Sequence, residues 1–275
     1  MTDELLFVSR LTGRFGHAPP GETWIGDDAA VVRPPDGPLL LAIDPMIQGV
    51  HFVTPDQDAG WKAVARNVSD LAAMGGRPLH ALVSLVLPPG TDVSDLLDGL
   101  AQAGELCPIV GGDTASGPTL VVTVAVTGTV DGAPVLRSGA RPGDALFVTG
   151  PLGAAPTRPL PRVAEGTAAR VGGARAMIDI SDGLSLDLRR LADASEVGVA
   201  LDSVPIAPGV DLEEALTWGD DYELAFAAPD PDAVRAAFAA AGLEAPFEIG
   251  RCTATKDERR LGDGPLPEGG WEHRW

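Results

Sequence analysis

Short apolar segments of this chain repeatedly run into an aspartate that stands beside a glycine or another turn residue. This pattern restricts the fold more than any other feature of the sequence. The aspartates are Asp27 and Asp28 in IGDDAAVV, Asp44 at the end of LLLAID, Asp113 after CPIVGG, and Asp179 and Asp182 in MIDISDG. Taken singly, an aspartate beside a glycine usually forms a turn or caps a helix.

Taken together, these aspartates predict a cluster. Ends of neighbouring strands gather at one edge of a sheet, where ligands commonly bind. Two carboxylates 4 Å apart repel by about 4 kcal/mol at an effective dielectric constant near 20. A cation must therefore stabilise such a cluster, and Mg²⁺ prefers hard oxygen ligands that it shares with substrate phosphates. The pattern indicates phosphate chemistry assisted by several metal ions.

Strands and helices alternate along the chain. LLLAID at 39–44 and the Val- and Thr-rich 119–130 are predicted strands. Between them, Trp61, Val64, Val68 and Leu71 recur at helical spacing until two glycines and a proline end the helix, which also carries Asp70.

In the second half, MIDI is a predicted strand leading into a helix with Leu184, Leu188 and Leu191 facing inward and Ser181 or Asp182 as its cap. Pro231 predicts the first turn of a later helix. The Pro-, Ala- and Gly-rich stretch 154–175 is predicted to be a mobile connection.

Charge and composition exclude several function classes. With 20 Lys and Arg against 39 Asp and Glu, the net charge is −19, which disfavours nucleic acid as a ligand. Two cysteines cannot form a disulfide framework, and we interpret both as packing residues. No signal sequence is evident, and the longest apolar runs fall short of the roughly 18 residues of a membrane span. We expect a soluble, cytoplasmic protein of two domains.

Motifs of other phosphate and hydrolase enzymes are absent from the sequence. It contains no G-x-x-x-x-G-K-[ST] loop, no G-x-G-x-x-G fingerprint and no kinase H-R-D or D-F-G set. H-E-x-x-H and G-x-S-x-G are also missing, which disfavours zinc and serine hydrolases.

A series of longer motifs resembles the thiamine-monophosphate kinase family in order and approximate spacing. The motifs are GDDAAVV, DPMIQGVHF, KAVARNVSDLAAMG, VGGDT, RSGARPGD, IDISDGL, GDDYEL and GGWEH. The wider superfamily of ATP-using synthetases related to aminoimidazole ribonucleotide synthetase has motifs similar to NVSDLAAMG, GGDT and IDISDG. The motifs GDDYEL and GWEH resemble the thiamine-monophosphate kinases within that superfamily.

The resemblance implies an α+β fold of two α/β halves of the aminoimidazole ribonucleotide synthetase type. Residues 1–137 would form an N-terminal ATP- and Mg²⁺-binding and dimerisation domain, and residues 138–275 a C-terminal α/β domain that completes the active site. The N-terminal sheet would form the barrel-like core of a homodimer.

The implied reaction is phosphorylation of thiamine monophosphate by ATP, through direct attack of a substrate phosphate oxygen on the γ-phosphorus. The implied catalytic residues are Asp113, Asp179 and Asp182. The implied magnesium ligands are Asp27, Asp44, Asp70, Asp113, Asp179 and Asp182. The implied ATP contacts are Gly112, Asp113, Arg137 and Ser181, and the implied thiamine monophosphate contacts are His51, Asp220 and Trp271.

The chain departs from the family pattern at three places. Ala42 and Ile43 replace hydroxyl residues before the second aspartate motif, Asp220 replaces a glutamate, and the 154–175 stretch is shorter. Two alternatives therefore stay open: another ATP-dependent synthetase of the superfamily, or a non-catalytic homologue that binds Mg²⁺ or nucleotide.

Overall fold

The computed structural model describes residues 14–15, 17–25 and 28–272. The chain divides into two compact units. The N-terminal unit comprises Met1–Val68 and Pro78–Thr129, and the C-terminal unit comprises Ser69–Arg77 and Val130–Trp275. The boundary expected at residue 137 stays a prediction.

The N-terminal unit is built on a four-stranded sheet in the order β1-β4-β2-β3. The strands are β1 (Leu39–Ile47), β2 (Arg77–Leu87), β3 (Ile109–Ser116) and β4 (Val121–Thr129). The helices are α1 (Gln57–Ala72), whose last four residues belong to the C-terminal unit, and α2 (Ser94–Ala103). β1 and β4 pair antiparallel, with Asp44 opposite Val124, and β2 and β3 pair parallel.

Alternation along the strands gives this sheet two different faces. On β4, Val122, Val124 and Val126 are buried, and the intervening residues are half-buried. On β1, Leu41 and Ile43 are 70% and 64% exposed. One face is thus packed, while the other presents apolar side chains to solvent in the single chain.

The C-terminal unit is built on a seven-stranded sheet in the order β11-β10-β7-β9-β5-β8-β6. The strands are β5 (Ala145–Val148), β6 (Ala176–Ile180), β7 (Gly198–Leu201), β8 (Glu223–Ala228), β9 (Phe247–Thr253), β10 (Arg259–Leu261) and β11 (Gly264–Pro265). The helices are α3 (Val163–Val171), α4 (Leu184–Ser195), α5 (Leu212–Thr217) and α6 (Pro231–Ala240).

Helices cover both faces of this sheet. β5, β6 and β8 are buried at every position, as in strands packed on both sides. Leu188 of α4 packs with Leu146 and Val148 in one apolar cluster, and Phe238 of α6 packs with Phe147 in the other. The predicted α+β architecture of two mixed halves is confirmed. Whether the N-terminal sheet forms a barrel-like dimer core stays a prediction.

Helix starts follow from local sequence. Pro231 occupies the first turn of α6, as predicted, behind the cap Asp230. The predicted cap of α4 is wrong, because Gly183, with a φ of +110°, takes that position without any side-chain capping bond. No helix in the described part of the chain combines the length and apolarity that crossing a bilayer requires.

Candidate active site

A cavity of about 800 Å³ lies beside Asp113 in the N-terminal unit. Asp28 and Asp113, both exposed, line it together with Ser84 and Gly112. A Cβ on Gly112 would lie 2.0 Å from the carbonyl oxygen of Val83, so a side chain there would force β3 away from β2. The cavity falls in the size range of small-molecule sites and offers two acids to a ligand.

Asp44 lies on β1 and is ion-paired in this unit. Its Oδ2 is 3.2 Å from Nε of Arg66 on α1, and both side chains are at least half-buried. The arginine neutralises a carboxylate that the family resemblance assigns to a metal ion.

His51 follows β1 in a turn that its own ring helps to close. Its Nδ1 accepts a hydrogen bond from the backbone N–H of Ile47 at 3.0 Å. In the neutral ring this acceptor role places the proton on Nε2, which then faces other groups as a donor.

In the C-terminal unit, the turn after β6 is held from α4. The side chain of Asp187 accepts the backbone N–H groups of Ser181 and Asp182 at 3.1 and 2.9 Å. Nη1 of Arg190 lies 2.7 Å from Asp187 Oδ1 and 2.5 Å from Asp182 Oδ2. Burial raises the pKa of Asp187 to about 7, although the Asp182 N–H and Arg190 act in the opposite direction.

The same turn contacts both C-terminal residues predicted to bind substrate. The carbonyl oxygen of Ser181 accepts the N–H of Asp220 at 2.8 Å, and that of Asp182 accepts the N–H of Trp271 at 2.9 Å. Tyr222 donates its hydroxyl to Asp220 Oδ1 at 2.9 Å. The structure thus brings Ser181, Asp182, Asp220 and Trp271 together at one place in this unit.

Three further predicted residues of this unit are Asp179, Asp70 and Arg137. Asp179 is buried on β6, and its Oδ2 accepts the hydroxyl of Ser69 at 2.8 Å. Asp70, next to Ser69 on α1, is half-buried. Arg137 is exposed, and its carbonyl oxygen accepts the hydroxyl of Ser195 at 3.4 Å.

The predicted metal ligands are all carboxylates, which fits the oxygen preference of Mg²⁺. Asp27 lies outside the described residues. Within the described ranges, no three or more His, Cys, Asp or Glu residues are grouped so that they could hold a metal ion. Convergence of the six carboxylates around metal stays a prediction.

The acids that follow Asp220 in GDDYEL were not predicted as functional, and the structure gives both a role. Asp221 accepts the N–H groups of Gly153 and Ala155 at 2.8 and 3.1 Å, while burial raises its pKa. Glu223 is buried against Arg162. Two acids beside an apolar strand were the available signal, since such acids require partners when buried.

These contacts correct the expectation for the stretch 154–175. It includes helix α3, and it is held by hydrogen bonds from Arg162 to Glu223 of β8 and from Ala155 to Asp221, which precedes that strand. A mobile connection is therefore the wrong description of it.

Comparisons with known proteins agree with this architecture. Residues 26–130 match the family described as AIR synthase related protein, N-terminal domain, and residues 154–262 match its C-terminal domain. A thiamine-monophosphate kinase of Rhodopirellula baltica is 38% identical over 269 residues, covering 84% of each chain. One from Halobacterium salinarum is 37% identical over 282 residues, covering 90% of this chain and 94% of the relative.

Solved structures give the same result. AaThiL complexed with AMPPCP and TMP has a TM-score of 0.76 at 29% identity, covering 98% of this chain and 96% of that one. The shared fold, the shared motifs and the identity over most of the length show that the chain belongs to the thiamine-monophosphate kinase family.

Proposed function

We propose that this kinase transfers the γ-phosphate of ATP to thiamine monophosphate and forms thiamine diphosphate. The observation that carries the proposal is the turn at Ser181 and Asp182. There the implied nucleotide and metal residues are hydrogen-bonded to the implied substrate residues Asp220 and Trp271. The similar AaThiL structure with AMPPCP and TMP supports the same pair of ligands.

The reaction joins two anions on a protein of net charge −19, so electrostatics is the main obstacle. Several Mg²⁺ ions, held by Asp27, Asp44, Asp70, Asp113, Asp179 and Asp182, would screen the phosphate oxygens when bound. Arg137 supplies a further positive charge, whose guanidinium can contact a phosphate through two N–H groups.

The chemistry itself is an in-line displacement. A phosphate oxygen of thiamine monophosphate forms a bond to the γ-phosphorus, the bond from that phosphorus to the bridging oxygen breaks, and ADP leaves. The reaction needs no covalent enzyme intermediate, and alignment of the two phosphates supplies much of the catalysis. Gly112, Asp113, Arg137 and Ser181 hold the nucleotide, and His51, Asp220 and Trp271 hold the substrate.

A coupled assay with ATP, Mg²⁺ and thiamine monophosphate tests this function by following thiamine diphosphate. We expect product that depends on all three components. ATP binding without product would favour the non-catalytic alternative, and product only with another acceptor would favour a different synthetase.

Asp113→Asn tests the site within that assay. We expect turnover to fall about 100-fold or more, because one electrostatic contact to the reacting groups is lost. The fold should remain intact or gain stability, since one negative charge disappears from an acidic site. Asp36→Asn, in an exposed turn of the same unit, is the matched control. Unchanged turnover per folded molecule in the Asp113 variant would contradict the assignment.

We also propose that a second copy of the chain covers the exposed apolar face of the N-terminal sheet. Leu41 and Ile43 of β1, together with Leu82 of β2, line a cavity of about 390 Å³ on this face. Exposed apolar faces of this kind mark association surfaces. Light scattering should show a dimer, and Ile43→Asp should give monomers. Val171→Asp, at an equally exposed apolar position in the C-terminal unit, should leave the dimer intact. A monomeric parent chain at micromolar concentration would refute this assembly.

A further inference from the structure

We propose that Asp187 and Arg190 are positioning residues that hold the Ser181–Asp182 turn in the geometry needed for both reactants. Neither residue touches the reacting groups in the proposed function, on which this inference rests. Both act through the turn.

The carboxylate of Asp187 holds the backbone of the Ser181–Asp182 turn. Only 1% of this side chain is exposed. Oδ2 accepts two successive backbone N–H groups, from Ser181 and Asp182, and Oδ1 accepts Nη1 of Arg190 at 2.7 Å. Gly183 provides no side-chain cap to α4, and the two N–H groups that Asp187 binds belong to the turn that precedes the helix.

Arg190 holds the side chain of Asp182. The same Nη1 that contacts Asp187 lies 2.5 Å from Asp182 Oδ2. One guanidinium thus ties the Asp182 carboxylate to the buried carboxylate, while Asp187 holds the Asp182 backbone. Both the main chain and the side chain of Asp182 are set by this pair.

The carbonyl side of the turn transmits the position to the substrate residues. Ser181 and Asp182 accept the N–H groups of Asp220 and Trp271 through their carbonyl oxygens. A displaced turn therefore shifts the nucleotide contacts and the substrate contacts together. A misplacement of about 1 Å at a reacting centre can reduce rate about 100-fold.

The test compares Arg190→Met, Arg190→Lys and Asp187→Asn with the control Arg189→Met. Arg189 lies next to Arg190 on α4, but its partner Glu268 is 86% exposed. We expect Arg190→Met and Asp187→Asn to lower kcat/KM for ATP and for thiamine monophosphate in parallel, each by about 100-fold per folded molecule. Arg190→Lys, which keeps a positive charge within reach, should recover most of the loss, and Arg189→Met should stay within about twofold.

Folding is measured alongside by circular dichroism, so that activity refers to folded protein. Turnover per folded molecule within twofold of the parent for Arg190→Met and Asp187→Asn would overturn the proposal. An equal loss in Arg189→Met would overturn the proposal as well. A fall in kcat/KM for only one of the two reactants in Arg190→Met or Asp187→Asn would also overturn it.

Calorimetric binding of AMPPCP and of thiamine monophosphate separates this inference from the proposed function. A parent chain that binds both ligands without turnover removes the proposed function, but the pair still predicts weaker binding of both ligands in Arg190→Met. Unchanged binding in that variant overturns the positioning role. A parent chain that binds neither ligand overturns both.

Discussion

We predict that the C-terminal unit is strongly destabilised when the buried carboxylate of Glu223 loses its partner Arg162. The Glu223 carboxylate has 6% of its side chain exposed and accepts three hydrogen bonds. Thr149 donates its hydroxyl at 2.5 Å, and Arg162 donates Nε at 2.9 Å and Nη2 at 2.5 Å. Arg162→Met removes two of the three bonds and leaves a buried charge with one partner.

The cost follows from that arrangement. Removing one partner of a buried ion pair costs about 3–5 kcal/mol of unfolding free energy. Since 34% of the Arg162 side chain is exposed, water can reach the vacated side of the carboxylate, and we expect the lower end, about 3 kcal/mol. For a unit of this size, that corresponds to a fall in Tm of about 6–12 °C.

Urea and thermal unfolding followed by circular dichroism measure the effect. Adding Glu223→Gln to Arg162→Met removes the unpaired charge and should recover most of the loss. Arg235→Met breaks the ion pairs of a 46% exposed arginine with Asp232 and Glu248, and it should cost less than about 1 kcal/mol because water can solvate both carboxylates. If Arg162→Met unfolds like the parent, or if the double variant is no more stable than the single one, an unpaired charge at Glu223 does not destabilise this unit.

Two further predictions concern packing. Burial raises the pKa of Cys107 and Cys252 to about 12, so only about one thiol in ten thousand is ionised at pH 8, and a disulfide reagent should detect two thiols only after denaturation. Rapid labelling of the native protein would show that these thiols are accessible. A Cβ on Gly99 would lie 2.0 Å from the carbonyl oxygen of Gln57, so Gly99→Ala should lower unfolding free energy in urea by about 2 kcal/mol or more. Gly264→Ala, with its nearest neighbour at 3.8 Å, should be neutral, and an equal loss in both variants would refute the packing argument.

Helical periodicity was sufficient to predict α1. Val64, Val68 and Leu71 recur on one face and are almost completely buried, and the helix ends before the glycines that were expected to stop it. By contrast, the sequence did not indicate α2, because Gly99 lowers helix propensity within a ten-residue segment. The glycine is there because α2 packs directly on the backbone of α1, a tertiary requirement that no local pattern reveals.

For the candidate site, the motifs identified residues, but they did not identify the contacts between them. Asp44 pairs with Arg66, 22 residues away, and Glu223 pairs with Arg162, 61 residues away. Asp187 and Arg190 lie inside a helix, where a charged side chain ordinarily indicates a solvent-facing position. Their contacts with Ser181 and Asp182 form because α4 packs against the turn that precedes it.

The loop containing Asp220 shows why the identity of a motif residue does not reveal its conformation. Positive φ angles in this loop occur at Asp220 (+68°) and Tyr222 (+53°) and not at the neighbouring Gly219. Such angles cost roughly 1–2 kcal/mol each in residues with side chains. Hydrogen bonds from the two N–H groups to Ser181 and Ile180, and from the Tyr222 hydroxyl to Asp220, offset that cost. Gly219 serves close approach instead, because a Cβ there would lie 2.2 Å from the carbonyl oxygen of Ser181. Gly219 lets this loop approach the Ser181–Asp182 turn, and the hydrogen bond to Ser181 then holds Asp220 at its strained φ angle. The strain at Asp220 therefore depends on contacts that exist only in the folded chain.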